Sequence, residues 1–368
     1  MHGWCVIIRL YLLFGVVAVV FGGAVYVSHT APERSANAMA LADARACASV
    51  GEPRKMLELC GRAIESGRLP DNFMILTYGN RAYAYARMEQ FVDALRDYGA
   101  ALRIDSTDAQ SYAGRAQVNS AMDNWRDALK DYDAAIEHKH DFTEAYYNRA
   151  LVRAQHQLYD EAIADFTKAI ELAPGDMDAV YNRAYTYFLR ETYDLAIKDF
   201  SLALEKMPEN VNALELRGIS YISKGDWAGA IPDLEKFLAH DNQDVTHMLL
   251  LYVAHTRISG DVAKAKSRLR KQSQGVDGGS WPGLLVSYCL GDLREDAMAA
   301  AISRTKNESE RQQQMGAASF YIAEQRLVSK QRDQARQYFQ RTVKLAAKGS
   351  VEQRAAVKEL ELLGQASK

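Results

Sequence analysis

Residues 143–176 read TEAYYNRALVRAQHQLYDEAIADFTKAIELAPGD, and this stretch decides the fold. It holds two runs with amphipathic helical spacing, separated by a polar turn and ended at Pro174. Helices this short cannot bury their apolar faces alone, so the unit needs neighbours. Equivalent residues recur every 34 positions in five units, which start at Ile75, Ala109, Thr143, Met177 and Val211. The spacing predicts a stack of helix hairpins.

Two positions of the repeat indicate how closely its two helices pack. The twentieth is always alanine, at Ala94, Ala128, Ala162, Ala196 and Ala230. The twenty-fourth is always large, at Tyr98, Tyr132, Phe166, Phe200 and Leu234. Only a methyl group fits where two helices cross most closely, and the large side chain fills the gap beside it. This pattern predicts tightly crossed hairpins.

The pattern resembles the tetratricopeptide repeat family, whose glycine and tyrosine positions are occupied here by Gly218 and by Tyr85, Tyr187 and Tyr221. The resemblance implies an all-α fold, a right-handed α-solenoid of tetratricopeptide helix hairpins. It also implies a concave groove lined by the first helix of each pair, at positions two, five, six, nine, twelve and thirteen. The residues assigned to that partner-binding groove are Tyr83, Tyr147, Asn148, Tyr181, Asn182, Tyr185 and Phe188.

Tyrosine combines a large contact area with a hydroxyl group and little conformational freedom to lose, which suits binding of a peptide or a partner helix. Packing between neighbouring repeats is the alternative role of these rings. The lysines that the family uses to clamp a C-terminal carboxylate are replaced by Glu144, Tyr147, Asp178 and Tyr181. Recognition of an acidic C-terminal tail is therefore disfavoured.

A second regularity departs from the family pattern. The seventh position is always arginine and the twenty-third always aspartate, at Arg81, Arg115, Arg149, Arg183, Arg217, Asp97, Asp131, Asp165, Asp199 and Asp233. Equal numbers predict an ion-pair ladder, because a half-buried arginine without a partner would be costly. Pairing within a repeat and pairing with the next repeat both stay open. A row of anion-binding arginines is the functional alternative.

The N-terminal segment predicts export. Leu10 to Val27 is an uncharged, mostly apolar run, and Arg9 precedes it. A helix of 18 residues spans about 27 Å, the thickness of a hydrocarbon core. Residues 1–36 are therefore assigned as a signal peptide, or as an N-terminal membrane anchor, with a tether. Either alternative places the remaining chain outside the cytoplasm.

Residues 37–74 are predicted to form an N-terminal helical hairpin that precedes the repeats at 75–244. Cys47 and Cys60 lie on its two helices, on either side of a break at Gly51-Glu52-Pro53. Antiparallel helices could bring these cysteines face to face, and an oxidising compartment favours a disulfide between them. Two buried free thiols are the alternative.

Residues 245–368 carry degenerate helical repeats, a further repeat at 316–349 and a predicted capping helix from Val351 to Leu363. The basic run at Lys264, Lys266, Arg268, Arg270 and Lys271 is interpreted as a solvated helix face rather than an anionic-lipid site.

Composition and motifs argue against several functions. A net charge of −2 provides no excess of Lys and Arg for phosphates, so nucleic acid is not expected as a partner. His138 and His140 lack carboxylate or cysteine company at ligand spacing, so no metal site is predicted. No catalytic motif is present and no cofactor is expected. The chain is predicted not to be an enzyme, with a hydrolase as the least favoured alternative.

The C-terminal half also resembles the bacterial new lipoprotein I family, through Leu216-Arg217-Gly218-Ile219, Tyr288-Cys289-Leu290-Gly291-Asp292 and Glu359-Leu360-Glu361-Leu362-Leu363-Gly364. This resemblance implies an adaptor of the cell envelope that binds peptidoglycan hydrolases and a processing protease. No cysteine fits a lipidation site, so a periplasmic form, soluble or anchored in the inner membrane, is expected. A homodimer and a self-assembling envelope scaffold stay open as alternatives.

Overall fold

The computed structural model describes residues 31–365, and the predicted membrane-spanning or signal segment, Leu10 to Val27, lies outside them. Within the described residues the chain is all helical. The helices are α1 Ala31–Ser49, α2 Pro53–Glu65, α3 Asp71–Arg87, α4 Phe91–Ile104, α5 Ala109–Ala121, α6 Trp125–His138, α7 Thr143–Gln155, α8 Tyr159–Leu172, α9 Met177–Leu189, α10 Tyr193–Lys206, α11 Val211–Lys224, α12 Trp227–His240, α13 Val245–Ser259, α14 Val262–Gln272, α15 Gly283–Leu290, α16 Glu295–Ile302, α17 Glu308–Val328, α18 Arg332–Leu345 and α19 Val351–Gln365.

The helix bounds follow the repeat spacing. Four of the five predicted repeat starts coincide with the first residue of a helix, and Ile75 lies one turn inside α3. The turn between the two helices of a repeat has a residue with positive φ at the same position each time: Glu89, Asp123, Gln157, Glu191 and Gly225. The predicted fold class, an all-α solenoid of tetratricopeptide helix hairpins, is confirmed.

The alanine and aromatic positions have the predicted packing role. All five alanines at position twenty are completely buried, and the large residues at position twenty-four are at most 5% exposed. Asp108, Asp176, Asn210 and Asp244 each cap the following helix by accepting a hydrogen bond from a backbone N–H group. Capping and small-to-large packing together position each first helix against its partner.

The contacts divide the chain into two units, residues 1–152 and 153–368, with the boundary inside α7. The described part of the first unit contains the N-terminal hairpin and the repeats that begin at α3 and α5. The second unit contains the later repeats and a larger apolar core, centred on Trp227, Leu249, Phe320 and Phe339.

Two features differ from the expected boundaries. Helix α1 begins at Ala31, inside the predicted tether, because a proline such as Pro32 is tolerated in the first helical turn. Gly316, the expected first residue of a repeat, lies inside the 21-residue helix α17. A Cβ atom there would lie 2.2 Å from the backbone N of Ala346, so the glycine permits close approach of the α18–α19 connection.

Candidate protein-binding groove

The ion-pair ladder fixes the first helices that carry the groove positions. In four of the repeats, the arginine at position seven donates two hydrogen bonds, from Nε and Nη2, to the aspartate at position twenty-three of the same repeat. The pairs are Arg81–Asp97, Arg115–Asp131, Arg183–Asp199 and Arg217–Asp233. Their donor–acceptor distances run from 2.6 to 3.1 Å. These bidentate bonds are the strong type of ion pair, and they raise the pKa of Arg81, Arg115 and Arg217.

Several of these arginines also contact the preceding repeat. Nη1 of Arg149 donates to Asp133 at 2.6 Å, Nη1 of Arg183 to Thr167 at 3.1 Å, and Nη1 of Arg217 to Ser201 at 3.0 Å. All three acceptors occupy position twenty-five of the repeat before. The ladder therefore links neighbouring repeats as well as the two helices of one repeat, a register that the sequence left open.

Asp165 has a further partner. Nη1 of Arg153 donates to its Oδ2 at 2.5 Å. An equivalent bond comes from Asn119, whose Nδ2 donates to Asp131 at 3.2 Å. Both donors lie four residues after the ladder arginine, one turn further along the first helix. Asp131 thus accepts hydrogen bonds from both Arg115 and Asn119, which favours a structural role for this row over anion binding.

Three tyrosines belong to the ladder rather than to the groove. The guanidinium groups of Arg81, Arg115 and Arg149 lie over the rings of Tyr78, Tyr112 and Tyr146, at 5.6, 5.4 and 5.5 Å from the ring centroids. Each tyrosine precedes its arginine by three residues, the spacing at which helical side chains meet. This repeated three-residue spacing is visible in the sequence.

In residues 31–152 the predicted groove residues lie on α3 and α7. Tyr83, Tyr147 and Asn148 are all partly exposed. The guanidinium of Arg87 lies 5.8 Å from the ring centroid of Tyr83, and Leu76, at position two of the same repeat, keeps 58% of its surface exposed. This unit therefore presents aromatic, amide and aliphatic side chains on its first helices.

A polar contact and a close approach hold these helices in place. Nε2 of Gln117 on α5 donates to Glu144 on α7 at 3.1 Å, and burial raises the pKa of that carboxyl group. A Cβ atom at Gly114 would lie 2.4 Å from the ring of Tyr98, so only glycine lets α5 approach that ring. Gln117 and Gly114 occupy groove positions nine and six, and both of them serve packing.

In residues 153–365 the predicted groove residues lie on α9 and are more enclosed. The ring of Tyr181 packs edge-on against Phe200 at 5.7 Å, and burial raises the pKa of Tyr181 to about 12. Nδ2 of Asn182 donates to the backbone oxygen of Asp178 at 2.8 Å, within its own helix. Tyr185 stacks on Phe188 at 6.4 Å, and Phe188 is only 8% exposed.

The C-terminal helix α19 lies across this second set of positions. The guanidinium of Arg354 lies 4.6 Å from the ring centroid of Phe188, and its Nη1 donates to the Tyr193 hydroxyl at 2.9 Å. The carboxylate of Glu191 is 3.6 Å from the same Nη1. Residues at the ends of α9 and α10 thus form a pocket of one aromatic face, one hydroxyl and one carboxylate, and Arg354 fills it. Phe188 is not presented to solvent.

A buried charge network anchors the other end of α19. Arg257 on α13 donates two hydrogen bonds to Glu324 on α17, at 2.7 and 2.9 Å, and lies 2.9 Å from Glu359 on α19. Nε1 of Trp227 donates to Glu359 at 3.4 Å, and the Trp227 ring lies 5.2 Å from the Arg257 guanidinium. One guanidinium therefore serves two buried carboxylates.

Apolar contacts between its two ends also hold α19 against the rest of this unit. Ala355, Ala356 and Leu363 are buried in the main core of this unit. A Cβ atom built at Gly225, where α11 ends, would lie 3.4 Å from Cγ of Lys358. The predicted capping helix thus packs on α11, α17 and α18, and only its Arg354 side chain reaches the end of α9. The sequence contained no signal for this placement, because the partners of Arg354 lie about 160 residues earlier.

The remaining predicted site residues have structural surroundings. Cys47 and Cys60 are completely buried, with Cα atoms 5.4 Å apart and sulfur atoms within bonding distance, while Cys289 is a buried free cysteine. His138 stacks on Tyr112 at 5.7 Å. Among residues 31–365, no group of His, Cys, Asp and Glu side chains is arranged to hold a metal ion, and no helix is long and apolar enough to cross a membrane.

Three basic residues of α14 have partners. Lys266 donates to the backbone oxygen of Leu290 at 3.1 Å, Arg270 to Asp292 at 3.1 Å, and Arg268 approaches a ring nitrogen of His255 to 2.7 Å. These contacts join α14 to α13 and to the end of α15.

Comparison with known proteins supports the repeat. Residues 143–176 match the family model of the tetratricopeptide repeat. Similar solved structures include YrrB, described as a TPR protein with an unusual peptide-binding site, at 21% identity, covering 52% of this chain and 97% of that chain, with a TM-score of 0.47. The MamA protein has 21% identity, covers 49% of this chain and 96% of that chain, and has a TM-score of 0.42.

A tetratricopeptide repeat protein from Parabacteroides merdae has 22% identity, covers 70% of this chain and 98% of that chain, and has a TM-score of 0.47. No curated protein sequence matches this chain significantly.

Proposed function

We propose that this tetratricopeptide repeat protein is a non-catalytic adaptor or scaffold of the bacterial cell envelope. It presents partner proteins, such as peptidoglycan hydrolases or a processing protease, through the groove on its first helices. The observation that carries the proposal is the partly exposed set Tyr83, Tyr147 and Asn148, mounted on helices whose positions are fixed by the ion-pair ladder. Rigid aromatic side chains on a fixed scaffold suit protein recognition.

The envelope location rests on the apolar segment Leu10 to Val27 and on the cysteine pair of the N-terminal hairpin. A disulfide between Cys47 and Cys60 would persist in an oxidising compartment such as the periplasm. The protein is exported and is either soluble in the periplasm or anchored in the inner membrane by the N-terminal segment. The choice of envelope enzymes as partners rests on the resemblance to the new lipoprotein I family.

Affinity capture from envelope extracts tests the adaptor role. A variant with Tyr83→Ala and Tyr147→Ala is expected to retain the specific partners at least tenfold less well, because aromatic anchors dominate such interfaces. The matched control is Val92→Ala, which removes an exposed apolar side chain, 66% exposed, from the second helix of the repeat that holds Tyr83. The control should retain the partners as well as the wild type does.

If the double alanine variant remains helical and captures the same proteins in the same amounts, the groove does not bind partners. The adaptor proposal then fails in its stated form.

A further inference from the structure

Helix α19 places its residues where a partner of the groove would lie. Phe188 occupies groove position twelve of the repeat that begins at Met177, and the guanidinium of Arg354 on α19 lies over its ring. The next repeat contributes Ile222, its residue at position twelve, which is completely buried in the same core as Ala355 and Ala356. At this part of the groove α19 therefore packs on the end of α11 and extends one side chain, Arg354, to Phe188 on α9.

The contacts of Arg354 have the character of a recognition pocket. The Arg354 side chain is only 13% exposed, although it extends from the surface of a terminal helix. It meets an aromatic face, a hydroxyl group and a carboxylate from three successive parts of the chain, Phe188, Glu191 and Tyr193. A planar guanidinium is suited to such a combination, because it can stack and donate hydrogen bonds in the same geometry.

The connection between α18 and α19 is short. Residues 346–350 join the two helices, and Gly349 within them has a φ of +76°. Helix α19 carries the last described residues, so no later element covers it in the part of the chain that the structure shows. Its outer face exposes Val357 and Leu362, at 44% and 40%.

We propose that α19 is an intramolecular ligand of the groove in residues 153–365, and that a partner is recognised there by an amphipathic helix that presents an arginine to the pocket of Phe188, Glu191 and Tyr193. This inference rests on the proposed adaptor function and specifies the kind of partner and its regulation. In the resting chain α19 occupies the pocket. A partner helix of the same chemistry must displace α19, so competition with α19 lowers the partner's apparent affinity.

A synthetic peptide with the sequence of residues 350–365 is the probe. Its binding to the full chain is measured by fluorescence anisotropy, with the wild type compared with Arg354→Ala. The variant weakens the resident helix by removing a charge-assisted hydrogen bond and a cation–π contact, so it is expected to bind the peptide at least tenfold more tightly than the wild type. A peptide carrying the same arginine-to-alanine change should lose at least tenfold in affinity for that variant.

Two further variants control the experiment. Arg332→Ala removes an exposed arginine from α18 and should leave peptide affinity at the wild-type value. Arg354→Lys keeps the positive charge near Glu191 but loses the planar stack on Phe188. If the pocket recognises the guanidinium shape, this variant should bind the peptide with an affinity between those of the wild type and Arg354→Ala. Circular dichroism establishes that each variant retains its helix content, and hydrogen exchange of residues 351–365 should be faster in Arg354→Ala.

Equal peptide affinity for the wild type, Arg354→Ala and Arg332→Ala would overturn the proposal. So would exchange in α19 that stays as slow as global unfolding in every variant, because a helix that never leaves cannot be replaced. If envelope proteins are captured through Tyr83 and Tyr147 while the peptide does not distinguish the variants, the adaptor function stands and this inference fails. If the peptide behaves as expected but the tyrosine variants capture normally, the pocket stands and the adaptor groove fails.

Discussion

The groove positions in residues 31–152 and those in residues 153–365 come from the same repeat but have different surroundings. In the first unit Leu76 and Tyr83 keep part of their surface exposed, while in the second Phe188 is buried beneath Arg354 of α19. The stabilising devices differ too. A cysteine pair joins α1 to α2, whereas a buried arginine with two glutamates joins α13, α17 and α19. Positions two and nine of the first unit are thus partly open to solvent, whereas position twelve of the repeat at Met177 is covered.

The largest effect is expected for Arg257→Ala in the second unit. Glu324 and Glu359 would then be buried without their cation, and removing one partner of a buried ion pair costs about 3–5 kcal/mol. Urea unfolding followed by circular dichroism measures the loss, and hydrogen exchange should locate it in α13, α17 and α19. The first unit should keep its protection.

The control for Arg257→Ala is Lys130→Ala in the pair Lys130–Asp127, whose side chains are 76% and 63% exposed. A change below about 1 kcal/mol is expected there, because exposed ion pairs contribute little. If Arg257→Ala costs no more than this control, the network does not hold α19 in place.

The next effect concerns the first unit. The combined change Cys47→Ser and Cys60→Ser opens a loop closed across a sequence separation of 13, which corresponds to about 3 kcal/mol of stability. Thermal or urea unfolding of the oxidised wild type against the variant measures it, with exchange expected to rise in α1 and α2. Wild type treated with reductant should match the variant. Two thiols that alkylate freely in the native, non-reduced protein would show that the cysteines are not bonded.

The smallest effect is the part of the pH dependence of stability that Glu324 contributes in the second unit. Burial raises the pKa of Glu324, and the neighbouring Glu359 adds to this rise, while Arg257 opposes it. A carboxyl whose pKa is higher in the folded state favours the fold when protonated. Stability should therefore rise as pH falls from 7.5 towards 5, and be lost as pH rises through the folded-state pKa.

Glu324→Gln should make stability depend less on pH. Over the whole titration, the change in the free energy of unfolding should be smaller by about 1.4 kcal/mol for each unit by which the folded-state pKa of Glu324 exceeds its unfolded value. Urea unfolding at pH 5.5, 6.5 and 7.5 measures the slope. Other carboxyl groups whose pKa burial also raises contribute to the part that remains: Glu144, Asp178, Glu215 and Glu352. Glu361→Gln, an exposed change on α19, serves as the control. An unchanged slope in Glu324→Gln would mean that this carboxyl does not titrate in the range.

Much of the fold could be predicted because the main packing contacts of each repeat lie within one hairpin. The alanine at position twenty and the large residue at position twenty-four meet within one hairpin, so their spacing carries the information. The sequence predicted a ladder of arginine and aspartate pairs, but it left open whether Arg81 pairs with Asp97 in its own hairpin, 16 residues away, or with an aspartate of another repeat. The second acceptor of the ladder, such as Ser201 for Arg217, was not predicted, because it depends on how successive repeats stack.

The candidate site divides in the same way. The sequence predicted groove positions for Tyr83, Tyr147 and Phe188. It did not show that three other tyrosine rings lie against arginine guanidinium groups and so do not line the groove: Tyr78, Tyr112 and Tyr146. It also assigned α19 to the end of the stack. An arginine on a terminal amphipathic helix has no local signature that distinguishes a solvated residue from one inserted into an aromatic pocket.

The amino-acid sequence by itself determined the repeat, the hairpins and the positions that face the groove, because those depend on helical periodicity and on contacts within about 34 residues. Only the tertiary structure decided which groove positions are occupied. Arg354 and Tyr193 are separated by 161 residues, and Arg257 and Glu324 by 67. Such pairs form when distant helices pack, and burial then decides which charges must be neutralised and which aromatic faces are covered.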